Sequence, residues 1–188
     1  MQIQRNSPGA VRKIKDSLFE LMSEKDYRDV TVSEIAKRAG LSRQAFYLYF
    51  KDKDDVLREQ FNSFFERIIS SIHSNKIYTI SELVSLYTSI VEKQYQYLRI
   101  LAKNNLGSFL GDVFVSKFAD LPPVVPTQRL SKSAVEHRYI NAFWVHAFIQ
   151  VYTIWINDNM RTSAEEIKQI LTDIMMGNYF KEKSPATV

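Results

Sequence analysis

Between positions 42 and 53 the sequence carries a set of polar side chains of the types that contact nucleic acids. Arg43 can form paired hydrogen bonds with O6 and N7 of guanine, and Gln44 can form a similar pair with N6 and N7 of adenine. Groups that can donate to phosphate oxygens, and so fix register without reading sequence, lie in the same stretch: Ser42, Tyr47, Tyr49 and Lys53. In a helix of unknown role, however, Arg43 and Gln44 would be solvated surface residues.

Two short helical patterns joined at Gly40 would position these side chains. Thr31-Val-Ser-Glu34 is a capping box, in which the Thr31 hydroxyl meets the Glu34 N–H and the Glu34 side chain reaches back. Gly40 ends the first helix, because glycine adopts the left-handed conformation at little cost. Ser42 is a suitable N-cap for a second helix, predicted over residues 43–50. A helix-turn-helix motif has this order, with its second helix in the major groove.

The second predicted helix separates packing positions from exposed positions. Phe46 and Phe50, four residues apart, can share one buried face. The apolar residues of the first helix and the turn are also assigned to the core: Ile35, Ala36 and Leu41. Thr31 and Ser33 lie at the start of the first helix, where free backbone N–H groups attract a phosphate. Leu48 has no polar group to read a base and is assigned to packing.

The basic charge of the chain is concentrated in the same segment. The 188 residues carry a net charge of +4, yet residues 1–51 hold ten Lys or Arg and six Asp or Glu, and residues 52–188 hold fifteen of each. A local basic excess indicates a polyanionic partner, although a chance solvated surface is the alternative.

The composition indicates a globular chain of one or two small domains, with 45% hydrophobic residues. The absence of cysteine excludes disulfides, thiol nucleophiles and zinc fingers, and it fits a cytoplasmic protein. We expect no secretory signal and no membrane partner, because the richest apolar stretch, residues 140–156, is interrupted by polar side chains. The histidines His73, His137 and His146 are dispersed, so we expect no metal site and no cofactor. We expect His146 to be buried.

Apolar residues recur at helical spacing along most of the chain. In addition to the two short helices, the predicted helical segments are residues 8–25, 52 or 54 to 74, 81–103, 106–118, 131 or 133 to about 160, and 163–179. Residues 119–128 are rich in proline and predict a loop, and the tail from residue 181 predicts disorder. No segment has a convincing strand pattern, so the fold class is all-α.

Residues 10–57 resemble the DNA-binding region of TetR-family transcriptional regulators. The matching pattern is Thr31-Val-x-x-Ile-Ala-x-x-Ala-Gly-Leu-Ser42 followed by Phe46-Tyr47-x-Tyr49-Phe50-Lys51-x-Lys53-x-x-Val-Leu57. The resemblance implies about nine helices, with a three-helix DNA-binding domain at 1–52 and a helical ligand-binding and dimerisation domain at 53–188. It places the DNA contacts on Thr31, Ser33, Ser42, Arg43, Gln44, Ala45, Tyr47, Tyr49 and Lys53. Alanine at position 45 can still touch a thymine methyl group, and of the two tyrosines we favour Tyr47 as the phosphate contact.

The last two helices, at about 133–159 and 163–179, are the predicted homodimer interface, pairing with their copies as a four-helix bundle. Two apolar stripes run along the first of them. One contains Phe143, Ala147, Val151 and Ile154, and the other contains Ile140, Trp144, Phe148 and Trp155. One stripe can face the subunit core and the other the partner. The alternative is a single wide core face.

The aromatic residues of the C-terminal half suggest a pocket for a small apolar or aromatic effector. The candidate lining residues are Tyr87, Gln94, Phe109, Phe114, Trp144, Phe148 and Tyr152. The alternative is that these aromatic residues form an ordinary core.

The favoured function is a DNA-binding transcriptional regulator, a homodimeric repressor that leaves a palindromic operator when an effector binds. The alternative is a helical DNA-binding or protein-interaction adaptor without an effector. An enzyme is disfavoured and no catalytic residue is assigned, because the chain has no Gly-rich phosphate loop, no Gly-x-Ser-x-Gly and no cluster of histidines with acids.

Overall fold

The computed structural model describes residues 8–74, 77, 79–119 and 133–179. Within these ranges the chain forms α-helices and one 3₁₀ turn, Tyr27–Asp29, with no strand, which confirms the all-α class. The helices are α1 Pro8–Glu24, α2 Val32–Arg38, α3 Arg43–Phe46, α4 Lys53–Ser74, α5 Ile80–Lys93, α6 Tyr95–Lys103, α7 Gly107–Phe118, α8 Ala134–Asn157 and α9 Ala164–Met175. The predicted loop at 119–128, apart from Ala119, and the predicted tail from 181 lie outside the described residues.

The N-terminal helices pack around one apolar centre. Helix α1 contacts α2 and α4, and α2 contacts α3. The side chains that fill the space between them are fully buried: Ile14, Leu18, Met22, Ile35, Phe46, Val56 and Leu57. This shared core fixes the angle between α2 and α3, because each helix buries its only apolar face there.

Local signals in the sequence set the boundaries of α2. The capping box forms as predicted, with the Glu34 N–H donating to Thr31 Oγ1 at 3.3 Å and the Thr31 N–H donating to Glu34 Oε2 at 2.9 Å. Gly40 has φ +70°, and the Leu41 N–H then donates to the Ala36 carbonyl, which closes the helix. Leu41 is half-buried at the corner.

Helix α3 is shorter than the predicted 43–50. It ends at Phe46, and the following turn is tightened by N–H groups of Leu48 and Tyr49 that donate to carbonyls three residues earlier. Phe50 is nevertheless buried and packs at 6.0 Å from Phe46, measured between ring centroids. The burial of Phe46 and Phe50 was therefore correctly predicted. The end of the helix at Phe46 and the tight turn that follows it were not predicted.

The predicted helix at 81–103 is two helices, α5 and α6, separated at Gln94. The main packing partner changes at this point, since α5 packs mostly against α9, with Tyr87 and Thr88 reaching α8, whereas α6 packs against α8 and α1. Helix α5 also begins earlier than predicted, because Thr79 and Glu82 form a second complete capping box. At the start of α9, Ser163-Ala-Glu-Glu166 has the spacing of a capping box, but only its hydroxyl half is present, with the Glu166 N–H donating to Ser163 Oγ.

Helix α7 lies between α4 and α8 and approaches α8 closely. Gly111 permits this approach, whereas a side chain at Gly107 would make only an ordinary contact. A Cβ atom at Gly111 would lie 2.6 Å from Nδ1 of His146, and one at Gly107 would lie 3.4 Å from Cγ2 of Ile149. We predicted that His146 would be buried, and this was wrong. Its side chain is 42% exposed, and its Nε2 lies 3.9 Å from Oδ1 of Asp112.

Candidate nucleic-acid interface and effector cavity

Helix α3 has an exposed polar face, and its one buried side chain attaches it to the core. Ser42 caps it by accepting a hydrogen bond from the Ala45 N–H at 3.0 Å. Phe46 is fully buried, whereas Ser42, Arg43 and Gln44 are exposed. The buried Phe46 ring and the Ser42 cap therefore hold the backbone of α3 so that its polar side chains lie on the outer face.

Arg43 and Tyr47 are arranged together on this face. The guanidinium donates from Nε and Nη2 to the Tyr47 hydroxyl at 3.4 and 3.3 Å, and its carbon lies 5.7 Å from the centre of the tyrosine ring. Tyr47 remains 46% exposed, while Tyr49 is half-buried against the core. The expected division of the two tyrosines is consistent with this difference in exposure.

Leu48 does not pack into the core as predicted. Its side chain is 54% exposed, beside the exposed Gln44 and Tyr47 positions. The tight turn after Phe46 directs it outward, and helical spacing alone did not reveal this turn. Ala45, between the exposed Gln44 and the buried Phe46, is half-buried.

At the start of α2, Thr31 and Ser33 are both exposed. The Thr31 hydroxyl also donates to Glu34 Oε2 at 2.7 Å. Lys25 donates to the other carboxylate oxygen at 2.6 Å, and this bond together with those from Thr31 lowers the pKa of Glu34 to about 2. The first turn of α2 is thus held in one conformation.

Lys53 has a different environment from the one predicted. Its Nζ donates to three backbone carbonyls, those of Tyr27 at 2.7 Å, Arg28 at 3.0 Å and Val30 at 2.9 Å. The same nitrogen lies 4.5 Å from the centre of the Tyr27 ring. An ammonium group has three N–H donors, so the predicted phosphate contact conflicts with a donor set that is fully used within the protein.

A cavity of about 90 Å³ lies between α4, α5, α6, α7 and α8. Four of the seven predicted lining residues surround it: Tyr87, Trp144, Phe148 and Tyr152. Helices α4 and α6 also line the cavity, and this was not predicted from the sequence. Their lining residues are Phe64, Phe65, Ile68, Leu98, Leu101 and Ala102. The wide apolar face of α4 was the available signal for the first three.

The other three predicted lining residues lie elsewhere. Gln94 is exposed at the break between α5 and α6. Phe109 turns towards α4, where it meets the ring of Phe61 at 6.0 Å and the Arg58 guanidinium at 4.9 Å. Phe114 is buried against Phe65 at 4.9 Å, and this places it in the core rather than at the cavity surface.

The cavity is apolar and aromatic. The rings of Tyr87 and Phe148 stack with centroids 5.0 Å apart, and Tyr152 continues the stack at 6.2 Å from Phe148. Burial raises the pKa of both tyrosines, and the Tyr152 hydroxyl is hydrogen-bonded to Thr88 at 2.9 Å. None of the described side chains that line the cavity is charged. A hydrocarbon group therefore suits it better than a charged one.

One face of α8 exposes large apolar side chains. Val135, Tyr139 and Phe143 are four residues apart and 64%, 72% and 64% exposed, and Ile154 is 60% exposed on the same helix. Two of these residues belong to the first predicted stripe. The second predicted stripe faces inward, since Phe148 and Trp155 are buried.

Two sequence models cover most of the chain. The model for "Bacterial regulatory proteins, tetR family" matches residues 14–59, and that for "Transcriptional regulator C-terminal region" matches residues 83–177. The chain belongs to the TetR family. The relatives of this TetR-family chain are transcriptional regulators rather than enzymes.

Two curated relatives come from Bacillus subtilis (strain 168). An uncharacterized HTH-type transcriptional regulator, YxbF, is 22% identical over 182 residues, which is 91% of this chain and 46% of the relative. A fatty acid metabolism regulator protein is 33% identical over 90 residues, which is 46% of this chain and 44% of the relative. The TetR-family chain thus spans about half the length of the curated relatives it matches.

Two solved structures share the fold of this TetR-family chain. The fatty acid degradation regulator FadR from Bacillus halodurans has a TM-score of 0.61 at 19% identity, over 92% of this chain and 97% of that one. FadR from Thermus thermophilus, a TetR-family repressor solved in complex with lauroyl-CoA, has a TM-score of 0.56 at 14% identity, over 95% and 99%.

In the described part of the TetR-family chain, no group of three or more His, Asp or Glu side chains is arranged to hold a metal ion. No described helix combines the length and apolarity that a membrane crossing requires.

Proposed function

We propose that this protein is a homodimeric repressor that binds a palindromic operator through α3 and releases it when an acyl chain occupies the cavity. The observation that carries the proposal is the face of α3, where exposed Arg43, Gln44 and Tyr47 stand on the buried Phe46. A positioned pair of base-reading side chains has no evident role in folding.

In this proposal the exposed residues divide into readers and positioners. Arg43 and Gln44 contact base edges, and Ala45 and Leu48 can touch thymine methyl groups. The remaining predicted contacts bind phosphate oxygens: Thr31, Ser33, Ser42, Tyr47 and Tyr49. Lys53 acts indirectly, because its ammonium group holds the connection between α1 and α2.

Fluorescence anisotropy with a duplex selected from random sequence by the purified protein tests DNA binding. We expect Arg43→Ala to weaken binding by about 1–3 kcal/mol and to relax preference at one base pair. Arg161→Ala is the matched control, since it removes the same charge from a 78% exposed side chain after α8. Unchanged affinity and specificity in Arg43→Ala would show that α3 is not the reading helix.

The exposed apolar face of α8, called the exposed stripe below and made of Val135, Tyr139, Phe143 and Ile154, supports the proposed homodimer. Two recognition helices must reach half-sites about 34–36 Å apart, and a single short helix supplies too few contacts for specific affinity. Large exposed apolar patches mark association surfaces. Phe143→Glu places a charge in the stripe and is expected to yield monomers in sedimentation velocity. Leu48→Glu, which alters an exposed leucine outside the stripe, is expected to remain dimeric. A monomeric wild-type protein would contradict the proposal.

The ligand class follows from the apolar cavity lining. An acyl chain can occupy such a cavity while its polar end stays at the surface. The complex of the Thermus thermophilus FadR with lauroyl-CoA makes an acyl-CoA the first ligand to test. Filling must enlarge the cavity, because pockets for small molecules typically have about 300–1,000 Å³.

Tryptophan fluorescence reports on this step, because Trp144 lines the cavity whereas Trp155 is hydrogen-bonded to the Thr162 carbonyl at 2.8 Å. We expect lauroyl-CoA and lauric acid to change the emission and lauroyl-CoA to displace the duplex. Coenzyme A without an acyl chain is the control and should do neither. If no acyl compound binds the protein and none changes its affinity for the duplex, the protein is a regulator without an acyl effector. A reporter gene behind the selected sequence distinguishes repression from activation.

A further inference from the structure

A buried amide joins the cavity domain to the DNA-binding helices. Asn104 follows α6 and is only 9% exposed. Its Oδ1 accepts from the Tyr27 N–H at 2.6 Å, and its Nδ2 donates to the carbonyls of Met22 at 3.1 Å and Ile100 at 2.8 Å. One side chain thus serves α1, the connection to α2 and α6.

The groups that Asn104 satisfies belong to the ends of helical segments. Met22 lies in the last turn of α1, where carbonyls have no partner within the helix, and Tyr27 begins the 3₁₀ turn, where the N–H has none. Both bonds are buried. A displacement of Asn104 must therefore either move this part of the DNA-binding region or leave buried polar groups without partners, which is unfavourable.

Tyr27 is held from a second side by α4. Its hydroxyl donates to Asp54, and its carbonyl accepts from Lys53. Burial and the hydrogen bond to Asp54 raise the pKa of the Tyr27 hydroxyl, so it stays protonated and keeps donating. The position of the connection between α1 and α2 thus depends on two helices, α4 and α6.

Both helices also form walls of the cavity. Helix α4 contributes Phe64, Phe65 and Ile68, and α6 contributes Leu98, Leu101 and Ala102. Asn104 lies two residues after Ala102 and three before Gly107, which also lines the cavity. A ligand that enlarges the cavity moves walls to which Asn104 is directly connected.

The geometry points to Asn104 and Tyr27 as the joint that transmits cavity occupancy to the DNA-binding helices. This inference rests on the proposed function. When the cavity fills, the segment between α6 and α7 shifts and Asn104 moves with it. The hydrogen bond from the Tyr27 N–H to Asn104 then either displaces Tyr27 or breaks. In both cases the orientation of α3 relative to the rest of the subunit changes. A ligand changes DNA affinity only if its own affinity differs between these two arrangements.

The coupling ratio is the affinity for the selected duplex without ligand divided by that with saturating lauroyl-CoA. We expect a ratio of about tenfold or more for the wild-type protein, within the usual range for coupled sites. Asn104→Ala should reduce the ratio to less than about twofold while lauroyl-CoA still changes Trp144 emission. The control Asn141→Ala truncates another buried amide, which donates to the Ala119 carbonyl, and should keep the wild-type ratio. A wild-type ratio in Asn104→Ala overturns the inference.

A ligand-free test separates this inference from the proposed ligand. Val145→Phe adds volume to the cavity from α8, without changing Asn104 or its hydrogen-bond partners. It should weaken binding to the duplex in the wild-type background and have no effect in Asn104→Ala. An unchanged affinity in the wild-type background, or an equal change in both backgrounds, overturns the inference. Failure of lauroyl-CoA to bind would reject only the proposed ligand.

Hydrogen exchange supplies a readout without DNA and without a variant at position 104. In Val145→Phe, peptides that cover residues 22–30 should exchange faster than in the wild-type protein, because the Tyr27 N–H loses its acceptor. Peptides of α9 report whether the fold as a whole has loosened, and they should be unchanged. Equal protection of residues 22–30 in both proteins overturns the inference, even if no DNA sequence is ever selected.

Discussion

Lys53→Met removes three charged hydrogen bonds while keeping most of the side-chain volume. Two of the acceptors, the Tyr27 and Val30 carbonyls, are partly buried, whereas the bond to the Arg28 carbonyl is exposed and water can replace it. Hydrogen bonds to charged groups contribute about 1.5–3 kcal/mol each. Taking the lower value for the two partly buried bonds, we expect the free energy of unfolding to fall by about 3 kcal/mol.

Thermal unfolding followed by circular dichroism measures this change. For a chain of this size each kcal/mol lowers Tm by about 2–4 °C, so the expected decrease is roughly 6–12 °C. Lys51→Met is the matched control, because Lys51 is an exposed lysine two residues earlier. Substitutions at such surface positions usually change stability by less than about 0.5 kcal/mol.

The salt dependence of DNA binding distinguishes the two roles of Lys53. A lysine that contacts one phosphate contributes about 0.9 to the slope of log affinity against log salt concentration. Because the Lys53 donors are used within the protein, we expect Lys53→Met to leave the slope unchanged at a temperature where it is folded. An unchanged Tm together with a slope reduced by about one would refute the positioning role and restore the phosphate contact.

Further predictions concern separate parts of the molecule. Gln44→Ala should relax base preference at a different position from Arg43→Ala, which a binding selection with each variant would show; identical preferences would contradict separate roles. Gly111→Ala should destabilise the protein by up to about 2 kcal/mol, because the cost of displacing the His146 ring that the added Cβ overlaps exceeds the helix propensity that alanine gains over glycine; urea unfolding measures this, and an unchanged or higher free energy of unfolding would contradict it. Glu34 has a lowered pKa in the folded protein, so its contribution to stability is present above about pH 4.5 and is lost as the pH falls towards about 2. Glu34→Gln should therefore lose less stability than the wild-type protein over that interval in acid titrations, and parallel curves would argue against the ion pair with Lys25.

The sequence predicted the features that depend on residues a few positions apart. The Thr31 capping box and the Gly40 turn join groups three to five residues apart, and the structure contains both. The buried side of α3 was also predictable, because Phe46 and Phe50 lie one turn apart. The division of residues 81–103 into two helices was not predicted, because it follows from a change of packing partner at Gln94 rather than from any break in periodicity.

Only the tertiary structure decided which aromatic side chains line the cavity and which pack into the core. Aromatic residues at helical spacing suggested a pocket, yet Phe109 and Phe114 pack into the core while Phe64 and Phe65 line the cavity. Periodicity identifies an apolar face but not the element that covers it.

The sequence by itself determined the family, the all-α class and the exposed polar side chains of α3, since all of these rest on short-range patterns. The tertiary structure alone showed that Lys53 is occupied by backbone carbonyls and that Asn104 bonds to Tyr27, 77 positions away. The physical reason is that a polar side chain's partner depends on which distant backbone groups lack one. Those groups become neighbours only when the helices pack.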